Sequence, residues 1–397
     1  MQSGMMAAIT PLPIGAKPGV MPIDHIHRQR IYLDHNATAP LRPEAREAII
    51  RALDVVGNPS SVHAEGRAAK ALVEDAREAI AKLVGAEGAD ITFTSGATEA
   101  NNWVMRAGWD TIVYAAIEHD SLLGPIERSG ARLVKLPVEG TGEAYLGAVA
   151  DYVLLGNRPL GRDLVTLQLA NSETGVIQDV ATVADFCAAH GVFSHTDAVQ
   201  APGRIPVAFH DLGVDAMTIS SHKLGGPAGV GALITKSGLA LPPALLGGGQ
   251  EMRRRAGTEN VAAIAGFGAA ARSAFSDLVT IDRIRRKRDL LEDAIREKTP
   301  QAIILGQGGD RLPNTTCVSL PGGKAETMVI KFDLAGIAVS AGSACSSGKV
   351  ATSPVLAAMG VAPEVAGGAI RVSLGWTSSE IDLEPFLTTW MKMAGTA

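Results

Sequence analysis

From Tyr32 onward, short and nearly continuous apolar runs alternate with segments of helical period, and this alternation constrains the fold most. The runs are Ile91–Thr94, Thr111–Ala115, Arg132–Leu136, Leu164–Leu169, Val192–His195, Ala216–Ile219 and Val230–Ile234. A strand that is apolar on both faces must be covered on both faces. That predicts an α/β fold with a mostly parallel sheet between helical layers. Residues 64–84 read as one covering helix, since Leu72, Ala76, Ile80 and Leu83 repeat at helical spacing and Gly85 stops it. Val180–His190, closed by Gly191, reads as another. The last pair, Asp215–Ser220 and Gly229–Thr235, flanks a Gly-Gly-Pro turn and predicts one antiparallel edge or hairpin.

The pattern changes near residue 275. Ile281–Lys298 (IDRIRRKRDLLEDAIREK) is a charged amphipathic helix suited to connecting two domains. Beyond it, Cys317–Leu320, Ile337–Ser340 and Ile370–Leu374 read as short strands mixed with helices. The expected division is an N-terminal extension (1–30), a large domain (31–275) and a smaller α+β domain (276–397) that takes up part of the N-terminal arm. Residues 1–22 begin apolar but lack a basic start and are broken by prolines, so a loose extension is expected rather than a signal peptide. Met21 is an alternative start.

Charge and composition exclude several functions. The net charge is -5, and the triplet Arg253-Arg254-Arg255 is isolated, so no nucleic acid partner is expected. No apolar run reaches the ~18 residues of a membrane span. Three cysteines without C-x-x-C spacing predict neither disulfides nor a metal site, and a reducing cytoplasm is the expected compartment. The glycine runs at 225–231 and 247–249 do not fit the dinucleotide fingerprint, and there is no phosphate-binding G-x-x-x-x-G-K-[ST].

Three positions carry chemistry. Lys223 follows the strand Ala216–Ile219 and precedes Gly225-Gly226, at the sheet edge where open α/β folds place ligands. A lysine there can condense with a carbonyl if its amine is unprotonated. Asp197 closes another strand, with Gln200 just beyond it. A carboxylate against a pyridinium nitrogen is what pyridoxal phosphate requires, and Gln200 is placed to donate toward the ring oxygen. Taken alone, Asp197 would equally suit a helix N-cap. The third position is Thr92–Asn102, a strand, a small-residue turn and a helix start, which offers free N–H groups and the Thr98 hydroxyl to a phosphate. Its plain alternative is a capping box between Ser95 and Glu99.

These motifs then join a longer ordered set: DHNATAP (34–40), NPSSVH (58–63), FTSGATEANN (93–102), EHDS (118–121), ANSETGVIQ (170–178), HTDAVQ (195–200), SSHKLGGPAGVG (220–231), RRAGTEN (254–260) and SAGSACSSGK (340–349). From about Tyr32 to Trp376 the chain resembles the cysteine desulfurases of the NifS/IscS type. These are class V aminotransferases among the fold-type I pyridoxal-phosphate enzymes, with a mostly parallel seven-stranded sheet in the large domain. The resemblance implies Lys223 as the lysine bonded to the cofactor, Asp197 on the pyridine nitrogen and Gln200 on the ring oxygen. His119 would stack on the ring and move protons. Ala97, Thr98, Ser220 and His222 would hold the phosphate, joined by Thr258 from the neighbouring subunit of a homodimer. Asn171 and Arg371, with Asn36 nearby, would hold the carboxylate of L-cysteine. Ser172 and Ala39 depart from the common Asn and Thr of the family.

Cys345 separates a desulfurase from a transaminase, which needs no thiol. Its context is too rich in Gly and Ser for a packed strand and reads as an exposed loop, resembling the family branch with an extended loop. The thiolate is the competent form, and a free thiol is only a few per cent ionised at pH 7, so His119 is the candidate to assist. The sulfur would leave as a Cys345 persulfide for an acceptor or iron–sulfur scaffold protein. Cys187 and Cys317 sit in helix and strand contexts and read as buried thiols.

Overall fold

The computed structural model describes residues 30–155, 162–342 and 353–396. After β1 (Ile31–Tyr32) come β2 (Asp90–Thr94), β3 (Thr111–Ala115), β4 (Arg132–Leu136), β5 (Asp163–Thr166), β6 (Phe193–Asp197), β7 (Ala216–Ser220) and β8 (Gly231–Thr235). Strands β2 to β8 form one seven-stranded sheet in the order β2-β8-β7-β6-β5-β3-β4. Only β8 runs against its neighbours. The expected hairpin of β7 and β8 is present, but β8 is not the edge. Strand β2 pairs along its whole length, from Asp90↔Thr235 to Thr94↔Gly231. Pairing with β2 satisfies the backbone groups that an edge position would leave open.

Strands β5 to β8 are buried almost throughout, as their apolar runs require. Helices cover them with local capping. Asp179 accepts from the Thr182 N–H at the start of Val180–His190, and Gly191 ends that helix at φ 69. The helix Ala64–Leu83 packs on Val261–Asp277, closely enough at Gly268 that a Cβ there would lie 2.5 Å from Ala76 Cα.

The helix Ile281–Lys298 forms as expected. It leads to β9 (Ile303–Leu305), β10 (Thr315–Ser319), β11 (Ile337–Ala338), β12 (Ser340–Ala341) and β13 (Ala369–Ser373). The order β12-β13-β10-β9 makes an antiparallel sheet, while β11 pairs in parallel with β1. The single run expected at Ile337–Ser340 is thus split between two sheets. A separate core gathers Leu33, Ile295, Phe332, Phe386 and Trp390 around these strands.

Candidate active site

Register across the main sheet brings the predicted residues to one edge. Ser220 at the end of β7 and Thr94 at the end of β2 both pair with Gly231, and Asp197 ends β6 beside Thr218 of β7. Gly231 lies between them for a steric reason: a Cβ there would sit 2.7 Å from the Gly96 carbonyl carbon.

Lys223 ends the short turn Ser221–Lys223 that follows β7. Its Nζ donates to the carbonyl oxygen of Asn36 and, at 2.9 Å, to that of Ala37. Gln200 Nε2 donates to the same Asn36 oxygen at 3.1 Å. The other end of the Gln200 amide is taken by Arg204, whose guanidinium also reaches the carbonyls of Gln200 and His35, each at 3.0 Å. Burial, followed by the charge of Arg371, lowers Arg204 to about 9. Gln200 is therefore locked with its donor end toward Lys223.

Asp197 caps no helix. Its Oδ1 accepts the Val199 N–H at 2.9 Å and its Oδ2 accepts from Asn101 Nδ2 at 2.8 Å. Behind it lies fully enclosed Glu118, raised well above the ordinary carboxyl range by burial and then by the Asp197 charge, against a hydrogen bond from the Gln168 N–H. His119 caps the helix Asp120–Glu127, its Nδ1 accepting the Ser121 N–H at 3.1 Å.

Ala97 and Thr98 open the helix Ala97–Met105, whose N-cap, Gly96, offers no side chain. The Ser95–Glu99 capping box is only half made. The Ser95 N–H reaches Glu99 at 2.8 Å, while Glu99 is paired with Arg255 at 2.9 Å. Backbone N–H groups of the first turn stay open to an anion, with Ser220 alongside. His222 meets Thr38 Oγ1 at 3.2 Å, and burial, then Lys223 and Arg204, push it down to about 4. It is neutral at pH 7. Thr258 is exposed and lines a cleft of about 230 Å³ with Ser95 and Arg255.

The alternating pattern alone would turn Arg371 toward solvent. Instead it is 5 % exposed, because the Asp34 and Ser172 segments lie over its face of β13. It donates to Asp34 Oδ1 at 2.7 Å and to the Ser172 carbonyl at 3.1 Å, while its Nε is buried without a partner among the described residues. Asn171 Oδ1 is committed to the turn at Glu173 and Thr174. The Asn36 amide is occupied by Ser172, Thr315 and Asn314, so Asn36 meets Lys223 and Gln200 through its backbone carbonyl. Ser172 acts through its backbone too, so its departure from the family's Asn leaves these contacts intact.

Cys187 and Cys317 are buried free thiols, each pushed up to about 12, by burial first. Cys345 lies outside the described residues. Asp34, Asn101 and Ser121 lie within the motifs but carried no role there, and Arg204, four residues beyond Gln200, was missed. The signal available was their adjacency to Asn36, Thr98, His119 and Gln200. A cavity of about 440 Å³ reaches Lys223 from another side, between Arg42, Arg204 and Trp376, but neither Asp197 nor His119 lines it. Among the described residues no group of His, Cys, Asp and Glu could hold a metal, and no helix is long and apolar enough to cross a membrane.

The buried acceptor Asp197, the Lys223 amine, an open helix N-terminus and the unpartnered donor at Arg371 Nε match a pyridoxal phosphate with an amino-acid carboxylate beside it. Sheet order and edge together define a fold-type I enzyme of the pyridoxal-phosphate class. The chain belongs to the aminotransferase class-V family, matched over residues 31–386, and within it to the cysteine desulfurases of the NifS/IscS type. It is 41 % identical over 372 residues to a cysteine desulfurase of Cereibacter sphaeroides, covering 89 % of this chain and 93 % of that one. Identity is 37 % over 370 residues to the cysteine desulfurase IscS of Dictyoglomus turgidum, covering 90 % and 92 %. Among solved structures, the NifS-like protein from Rickettsia africae ESF-5 matches with a TM-score of 0.85 and 38 % identity, over 92 % of this chain and 100 % of that one.

Proposed function

We propose that this chain is a pyridoxal-phosphate-dependent cysteine desulfurase that converts L-cysteine to L-alanine and passes the sulfur on from Cys345. The observation that carries the reading is the shared acceptor at Asn36, which turns Lys223 Nζ and Gln200 Nε2 to one point. When bound, the cofactor supplies an electron sink for the substrate's α-carbon. The rest falls to this chain's residues. Lys223 would anchor the cofactor carbonyl, Asp197 would hold the ring nitrogen protonated and Gln200 would donate to the ring oxygen. Ala97, Thr98, Ser220 and His222 would receive the phosphate, and Thr258 would reach it from the second subunit of a homodimer. Arg371 and Asn171 would orient the substrate carboxylate, since a planar guanidinium fork suits that group.

The sulfur step balances without an added oxidant. The Cys345 thiolate takes the substrate sulfur, the carbon–sulfur bond breaks, and the electron pair left on carbon is protonated to give alanine. Cys345 is left as a persulfide. We place the enzyme in the cytoplasm, delivering sulfur to an acceptor such as an iron–sulfur scaffold protein. We place the domain division at residues 275 and 276, with a second core around Phe332, Phe386 and Trp390, although Cys317 and Ala369 of β10 and β13 join the core of the main sheet.

The test is turnover of L-cysteine with alanine and sulfide measured together, against an assay with a keto-acid acceptor. Equimolar alanine and reductant-released sulfide support the reading, and amino-group transfer without sulfide overturns it. The dimer is tested by mixing inactive Lys223→Ala chains with chains inactivated at Thr258. Shared sites restore activity, and independent sites do not.

A further inference from the structure

We propose that Asn101 and Ser121 are positioning residues that keep the ring proton of His119 on Nε2 and tie that ring to the Asp197 carboxylate. This builds on the reading of Asp197 and His119 as cofactor-facing groups. Four hydrogen bonds and one unpaired atom carry it.

The direction of each hydrogen bond follows from what its partners can donate. The Ser121 backbone N–H points at His119 Nδ1 at 3.1 Å, and a backbone N–H can only donate. Nδ1 must therefore present its lone pair, which leaves the ring proton on Nε2. The Ser121 hydroxyl also lies 2.8 Å from Nδ1. Because Nδ1 carries no proton, the hydroxyl donates to it, while the hydroxyl oxygen accepts a hydrogen bond from Asn101 Nδ2 at 2.9 Å. The second Asn101 amide proton goes to Asp197 Oδ2 at 2.8 Å.

The Asn101 amide cannot be turned around without loss. The residue is completely buried, and its Oδ1 has no partner among the described residues. Flipping the amide would set that oxygen against a carboxylate and leave both N–H groups unpaired, a worse outcome than one unpaired carbonyl. The orphaned Oδ1 marks an amide held for its two donors. The arrangement is directional: Asn101 donates both ways, and Ser121 passes the polarisation on to His119. A second ring proton on Nδ1 would face two donors, so His119 works at this edge as a neutral Nε2–H donor. Help given to a thiol must go through Nε2.

The test is side-chain nitrogen NMR on the full chain labelled with ¹⁵N-histidine, with and without pyridoxal phosphate, the His119 signals being identified by their loss in His119→Gln. At neutral pH, Nδ1 should resonate as an unprotonated nitrogen and Nε2 as a protonated one. A protonated Nδ1 overturns the proposal. Asp197→Asn should move the Nδ1 signal, and in a Ser121→Ala background it should move it less than half as far. An equal response in both backgrounds overturns the link through Ser121. The readout holds whether or not cysteine is turned over, so failure of the desulfurase reading would show separately, as missing alanine and sulfide.

Discussion

Arg371 is bound to Asp34 at 2.7 Å, so the guanidinium expected to take a substrate carboxylate already holds one from the protein. Asp34 lies in the DHNATAP segment, and the pair fixes the guanidinium plane while leaving Nε open. Arg371→Leu should raise KM for cysteine at least tenfold, since a charge-assisted hydrogen bond is worth about 1.5–3 kcal/mol. The covalent cofactor link should persist. Unchanged KM in steady-state kinetics would place the substrate carboxylate elsewhere.

Lys223→Ala should lose the borohydride-reducible bond to the cofactor and all turnover, because no other amine donates at Asn36 among the described residues. Mass spectrometry after reduction reads this directly. A cofactor adduct in the variant would assign the anchor to another lysine.

Asp197→Asn keeps the shape of the side chain and one of its two accepted hydrogen bonds, since the amide has a single acceptor oxygen for the Asn101 and Val199 donors. Folding should be retained, while the rate falls by tenfold or more for a loss of about 1.5–3 kcal/mol at the ring nitrogen. Wild-type kcat in this variant would show that another group protonates the ring.

Glu173 gives a pH-dependent stability. Its carboxyl accepts from Ser353 Oγ at 2.6 Å and is raised from 4.5 to about 7, by burial first, against the Ser353 hydrogen bond and the Arg371 charge, with Asp120 adding to the rise. An acid with a raised folded pKa binds more protons folded than unfolded. Its contribution to stability is therefore present below pH 4.5 and lost as pH rises to about 7. Over that window wild type should lose up to about 3 kcal/mol relative to Glu173→Gln. Denaturant unfolding of both proteins between pH 5 and 8 measures the difference, and a constant difference would contradict the assignment.

Cys345→Ala should keep its yellow colour and still change its spectrum when cysteine is added, yet carry no persulfide and release little sulfide. Cys187→Ala and Cys317→Ala should turn over cysteine like wild type, because burial holds both thiols protonated at neutral pH. Parent-rate desulfuration by Cys345→Ala in the presence of a dithiol would remove the persulfide step.

Local pattern determined a large share of this protein. Seven apolar runs, the helix at 281–298 and the strand-end positions of Asp197 and Lys223 follow from side-chain period and turn chemistry, which act over a few residues. Tertiary structure decided what those positions touch. Lys223 finds its acceptor at Asn36, and Arg371 finds Asp34, across 187 and 337 residues of chain. Neither contact leaves a periodic trace in the sequence. Strand order determined that β8 is interior, and the Asp34 and Ser172 segments packed on β13 bury Arg371. Alternation states that a strand has two faces, but only the completed sheet stack determines which of them meets water.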